Sequence, residues 1–408
     1  MFKWFSLFAL LFIFSHAHAQ DSLRTYYAWS LDAYKQKDYA LYLKYARRAN
    51  ELRPNHPILG YNIASAYALN GYHQESISAL KQYLQMNASM DYMQDLDYLP
   101  IKDYPEFREL KKMVGELQQK IETSDQWQSI SQKEDHFESI SFNQKDQSML
   151  LGTITTRKVY SVENNELVEI LDVPKEPLTF GVMGIDYSED YVWICTAALP
   201  EIDGYIKDYE NTSSIIGLHP GNYKVKFSYT VPDALLGDII YVSDDLVLAS
   251  DGLNNKVYQI TKSGASIYAD FSDKLFNVQG LAWVNEKLIL SDYILGLHTY
   301  DAQTKELIKM DSRGLYADKG IDGILYHEGF LYCFQNGTTP KRSFRIKIDD
   351  FQVDKMEIID QNLYEQAEPT QGVKVDNDIY YISNSAWNAY EEGTYTGGED
   401  LVIRKIKK

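Results

Sequence analysis

The chain has 408 residues with 45% hydrophobic and 13% aromatic content, which excludes a disordered protein and exceeds what one hydrophobic core usually organises. Its 58 acidic against 40 basic residues give a formal net charge of −18 and disfavour nucleic acid as a partner, because that binding rests on phosphate neutralisation by Lys and Arg. Cations and cationic surfaces stay open.

In chain order, residues 1–19 come first. Lys3, an apolar stretch from Phe5 to Phe14 and the closing Ala17-His18-Ala19 have the three parts of a secretory signal peptide, which predicts cleavage before Gln20 and a periplasmic or secreted product. The apolar run is shorter than the roughly 20 residues a membrane helix needs, and no other segment approaches that length, so no membrane span is expected.

From Asp21 to about Glu122 the apolar residues recur at helical spacing, with stops at Pro54-Asn55-His56-Pro57 and Asn70-Gly71. Offset against itself by about 33 residues, the segment superposes Tyr34 on Tyr67, Tyr39 on Tyr72 and Ala46 on Ala79. Small Ala residues let paired helices approach, and Tyr fills the gaps between them. The pattern resembles the tetratricopeptide repeat, whose helix-turn-helix units stack because one unit cannot bury its own apolar face. Residues 20–122 therefore read as a helical repeat domain with two clear units and a degenerate third from Asp91 to Ile121, anchored by Phe107 and Leu110. A protein partner is expected for such repeats.

After Ser124 the period changes to that of strands. Segments starting at Glu138, Gly184, Asp238, Gly280, Gly323 and Gly372 share one plan of polar entrance, strand, polar turn and second apolar strand. Their spacing of about 42 to 54 residues matches a four-stranded blade, and six copies close a ring. Residues 125–408 thus predict a six-bladed β-propeller, making the chain a two-domain protein, helical then all-β. The C-terminal DLVIRKI, residues 400–406, is expected to pair with WQSIS, residues 127–131, and close the last blade. Cys195 and Cys333 lie in strand-like runs and read as free thiols acting as small buried hydrophobes.

The residue before each shared entrance is Glu138, Met183, Gly237, Gln279, Asp322 and Gln371 in successive blades. Innermost-strand entrances line the central channel on one face, so these side chains should converge there. Two carboxylates and two amides suit a hard divalent cation. For Asp322-Gly323 the plain alternative is a strand-entrance turn. His136, two residues before Glu138, reads either as a residue near the channel mouth or, as a lone His more often is, as a surface or core residue.

Three of these stretches also carry a resemblance. ESISF, VQGLAW and IDGIL resemble the glutamate, asparagine-glycine and proline-aspartate-glycine motifs of the gluconolactonase and senescence-marker-protein (regucalcin) family, over about residues 135–390. The resemblance implies one divalent cation, calcium by ligand type, held by Glu138, Gln279 and Asp322, with Asp322 doubling as general base toward a lactone. Gln279 stands where the family has asparagine, Leu236 and Gly237 where it places another asparagine, and Ile321 where it has proline. The chain has no GxSxG, HExxH, CxxC or phosphate-binding glycine loop. Two function classes follow: a metal-dependent hydrolase of a lactone or small ester, or a noncatalytic exported scaffold that binds partners through repeats and propeller.

Overall fold

The structure, a computed structural model, describes residues 22–163, 166–172, 180–364, 367–391 and 394–407; the signal segment 1–19 lies outside the described residues. The chain divides into two compact units between Gln118 and Gln119.

The first unit is helical: α1 (22–35), α2 (Tyr39–Leu52), α3 (Pro57–Leu69), α4 (His73–Met86) and α5 (Pro105–Leu117). Asp38 caps α2 by accepting from Leu41 N at 3.1 Å, and proline opens α3 and α5, where its missing N–H costs nothing. Helix α3 is apolar nearly all round because α2 and α4 pack on either side of it, burying Leu59, Ile63, Ala64, Ala66 and Ala68. The repeat is visible in its contacts. The Tyr34 and Tyr39 rings lie 6.5 Å apart, and one unit later Tyr67 and Tyr72 lie 6.2 Å apart. Phe107 and Leu110 of α5 are buried in the same cluster as Leu80 and Leu84 of α4.

The second unit is a six-bladed propeller. Blades 1 to 4 are four-stranded antiparallel sheets whose innermost strands are Phe137–Asn143, Gly181–Tyr187, Leu236–Ser243 and Val278–Val284. Blade 5 runs outward from Ile321–His327, and the short strand Ile121–Glu122 joins its outer edge opposite Gln361 and Asp360. Blade 6 runs from Gly372–Val375 through Asp378–Ile382 and Leu401–Ile406 to Asp125–Ile130. Its register sets Ile130 opposite Leu401 and Ser129 opposite Val402, so both ends of the unit share one sheet.

The apolar core is distributed between blades rather than inside them. One cluster joins Ile289 of blade 4 to Ile324, Leu331 and Phe344 of blade 5, and corresponding clusters fill the other blade junctions. Each blade needs both neighbours to bury its faces, and the ring meets that need without an open edge. Cys195 and Cys333 are free thiols, fully buried in two of these clusters.

Candidate functional site at the channel entrance

Five of the six innermost strands slip register at their entrance. The slips fall between Phe137 and Ser139, Val182 and Gly184, Leu236 and Ile239, Val278 and Leu281, and Ile321 and Ile324. Glu138, Met183, Gly237, Gln279 and Asp322 therefore sit inside β-bulges. A bulge leaves its extra residue out of the ladder and re-aims its side chain, which a regular strand entrance does not do. At blade 5 the following glycine is required by close approach: Gly323 N–H donates to the Thr370 carbonyl of blade 6 at 2.9 Å, and a Cβ at 323 would run into that same oxygen.

Glu138 is only 4% exposed. Its Oε2 accepts from the Ser385 hydroxyl and, at 3.0 Å, from Trp387 Nε1. Burial pushes the carboxyl up to about 8 against the pull of those two hydrogen bonds, and the charge of Glu368 adds to the rise. His136 Nε2 lies 3.8 Å from the same oxygen but brings no charge, because burial lowers the imidazole to about 3. It is a core histidine, bonded to Ser385 at 2.9 Å and Tyr390 at 2.8 Å and packed on Trp387 and Tyr395.

Asp322 is half-buried, and its Oδ2 accepts from Asn336 Nδ2 at 2.6 Å. Burial, and then the charge of Glu138, holds its carboxyl well above the ordinary range. The structure thus brings these two carboxylates into electrostatic reach of each other. Gln279 stands at the blade 4 entrance next to that of Asp322, since its neighbour Gly280 abuts the Asp322 carbonyl, and it donates from Nε2 to Asn277 Oδ1 at 2.5 Å. Gln371 takes a different part: its Nε2 donates to the Met183 carbonyl at 3.0 Å and ties blade 6 to blade 2.

Several side chains here carry no signal at the strand entrances themselves. Glu368, buried in the loop leading into blade 6, pairs with Lys341 at 2.8 Å, and its Oε2 accepts from Asn388 N at 3.4 Å. Ser385 and Trp387 come from an insertion between the second and third strands of blade 6. Asn336 and Tyr293 follow the second strands of blades 5 and 4, so aligning the ends of second strands, rather than the starts of first strands, would have exposed them.

Among the described residues no group of three or more His, Cys, Asp or Glu is placed to hold a metal ion. The donor set is two carboxylates and an amide. Its chemistry nevertheless fits a hard cation, because in each of the three head groups the protein holds one atom and leaves one oxygen: Glu138 Oε1, Gln279 Oε1 and Asp322 Oδ1 take no hydrogen bond from the described residues. Along the innermost strands, residues of all six blades line a cavity of about 300 Å³ that includes Asp186 and Asp238.

No protein-family model and no curated protein matches the chain. Solved structures do resemble it. A putative oxidoreductase (glucose dehydrogenase) from Thermus thermophilus is 14% identical, covering 69% of this chain and 99% of its own, with a TM-score of 0.48. A gluconolactonase from Xanthomonas campestris is 11% identical, covering 68% of this chain and 88% of its own, with a TM-score of 0.46. A streptogramin B lyase is 14% identical, covering 69% and 96%, with a TM-score of 0.45. Each is a likeness of chain path at low identity, and a shared path does not fix a function.

Proposed function

We propose that the propeller is a divalent-cation-dependent hydrolase of a lactone or small ester, exported from the cytoplasm and working at the channel entrance. The observation that carries the reading is the trio of bulge residues in blades 1, 4 and 5, each with one head-group atom held by the protein and one oxygen left over. Glu138 Oε1, Gln279 Oε1 and Asp322 Oδ1 would hold the cation, most naturally calcium. Once bound it supplies Lewis acidity toward a carbonyl oxygen.

The two carboxylates divide the remaining work by burial. Glu138, enclosed and held by hydrogen bonds from Ser385 and Trp387, serves as a fixed ligand. Asp322 is more accessible and takes the proton of the attacking water; an ionised carboxylate oxygen has two lone pairs, so Oδ1 has room for both duties. Trp387 from blade 6 holds Glu138, and the Glu368–Lys341 pair ties the loop before blade 6 to blade 5.

Thermal melting with and without calcium tests the reading. At a concentration of about 100 times the dissociation constant, calcium stabilises the fold by about 2.7 kcal/mol, a shift of a few degrees. Asp322→Asn is expected to abolish most of that shift and the calcium-dependent opening of a lactone, while keeping the apo fold. An unresponsive wild type would favour the alternative, a noncatalytic scaffold, to which the exposed Met93, Leu96 and Leu99 of the helical unit lend weight.

A further inference from the structure

We propose that Asn336, oriented by Tyr293, is the positioning residue of Asp322: it commits Oδ2 of that carboxylate to the protein and reserves Oδ1 for the cation or its water. The inference rests on the reading of Asp322 as a site carboxylate and says how that carboxylate is aimed.

Neighbouring blades place equivalent residues at this end of the ring. Opposite the residue that precedes each bulge stand Asp251 in blade 3, Asp292 in blade 4 and Gln335 in blade 5. All three tie down the loop leading into their blade. Asp251 accepts from Leu235 N at 3.1 Å, Asp292 accepts from Phe276 N at 2.6 Å and Asn277 N at 2.8 Å, and Gln335 donates to the carbonyls of Ala317 and Lys319, both at 2.7 Å. The next residue is Gly252, Tyr293 or Asn336. Tyr293 and Asn336 thus hold the same position in neighbouring blades, and they bond across the junction, Tyr293 Oη donating to Asn336 Oδ1 at 2.9 Å.

That bond fixes the amide. The amide turns its nitrogen toward Asp322, with Nδ2 donating to Oδ2 at 2.6 Å, and this is the orientation the ionised, cation-holding carboxylate requires, because that form can only accept. A flipped amide would set two oxygens against each other and leave the Tyr293 hydroxyl facing an N–H₂ group. Burial first, and then the nearby charges of Asp322, Glu368 and Glu138, keep the Tyr293 hydroxyl protonated far above its ordinary range, so it remains a donor. The surroundings are shaped for this reach. A Cβ on Gly337 would stand 2.8 Å from the Tyr293 hydroxyl, and the Gly320 N–H, two residues before Asp322, donates to the Tyr293 carbonyl at 2.8 Å. A site carboxylate whose second oxygen is pinned in this way presents one oxygen in one direction, which is what partners behind metal ligands achieve.

Calorimetric titration of the full chain with calcium, alongside melting of the apo proteins, tests the proposal. Asn336→Leu keeps the bulk and removes the donor, and is expected to weaken calcium binding by about tenfold or more. Tyr293→Phe frees the amide to flip and is expected to weaken it in the same direction, and it serves alone should the Asn336 variant fail to fold. A variant pair with lower apo melting temperatures but wild-type calcium affinity would make both residues merely structural and overturn the assignment. A wild type that takes up no calcium would overturn the function reading itself, and this assignment with it.

Discussion

Asp186, on the innermost strand of blade 2, accepts from Tyr187 N at 2.8 Å with one carboxylate oxygen and from Tyr241 N of blade 3 at 2.6 Å with the other. Asp238 repeats the arrangement one blade on, reaching Leu281 N of blade 4 at 2.8 Å. Each carboxylate crosses a blade junction, yet enclosure in the channel pushes them up to about 6 and about 7. A carboxyl raised in the folded state contributes stability that is complete below its ordinary value near 4 and is lost as pH rises through the raised value. The melting temperature of the wild type minus that of Asp186→Asn should therefore fall between about pH 4 and pH 7. The difference is the proper readout, because buried His136, lowered to about 3, acts in the opposite sense and weakens the fold as pH drops. A difference that is flat with pH would show that Asp186 is ionised throughout. Gly323 is constrained by space rather than by charge: Gly323→Ala drives a methyl into the Thr370 carbonyl and should cost about 3 kcal/mol in urea unfolding, far more than an alanine at an ordinary strand entrance.

At the scale of elements, the closing strand Leu401–Ile406 carries both apolar and ionic anchors. Arg404 is buried, with Nε donating to Ser124 Oγ at 2.6 Å and Nη2 to Glu122 Oε1 and the Ser124 carbonyl, both at 2.8 Å. Asp360 of blade 5, 3.5 Å from Arg404 Nε, accepts from the hydroxyls of Ser124 and Tyr381. This knot locks the segment 122–124 between blades 5 and 6. Removing one member of a buried ion pair strands the other, so Arg404→Met should destabilise by about 3 to 5 kcal/mol in chemical denaturation. A loss below ~1 kcal/mol would mean that water reaches Asp360 and the knot is solvated.

For the whole molecule, the consequence is a sharp boundary. Residues 121–130 supply the outer strand of blade 5 and the outermost strand of blade 6, and every blade junction depends on the ring being closed. A fragment of residues 119–408 should fold and melt cooperatively, whereas one of residues 131–408 should not, as judged by circular dichroism and melting. Equal folding of the two would mean that the closing strand is dispensable. No helix among the described residues is long and apolar enough to cross a membrane.

The architecture was legible because it is written in short-range periodicity. Helical spacing with a tyrosine-alanine repeat, then six copies of one strand-turn-strand plan, leave few alternatives when each unit must bury a face against the next. The pairing of 400–406 with 127–131 followed from the need to leave no edge. Of the candidate site, the positions were legible: Glu138, Gln279 and Asp322 align at equivalent entrances, and each falls in a register slip of its innermost strand. Their chemistry was decided by tertiary structure. An Asp-Gly pair does not announce a register slip, because the bulge arises only when the strand pairs with its neighbour and Gly323 meets Thr370 of the next blade. Nor does any local pattern join Asn336 to Asp322, Trp387 to Glu138 or Tyr293 to Asn336, because those partners come from different strands and blades that meet only in the closed ring. Sequence spacing sets which residues face the channel; which oxygen of each remains for a ligand depends on contacts that the ring alone creates.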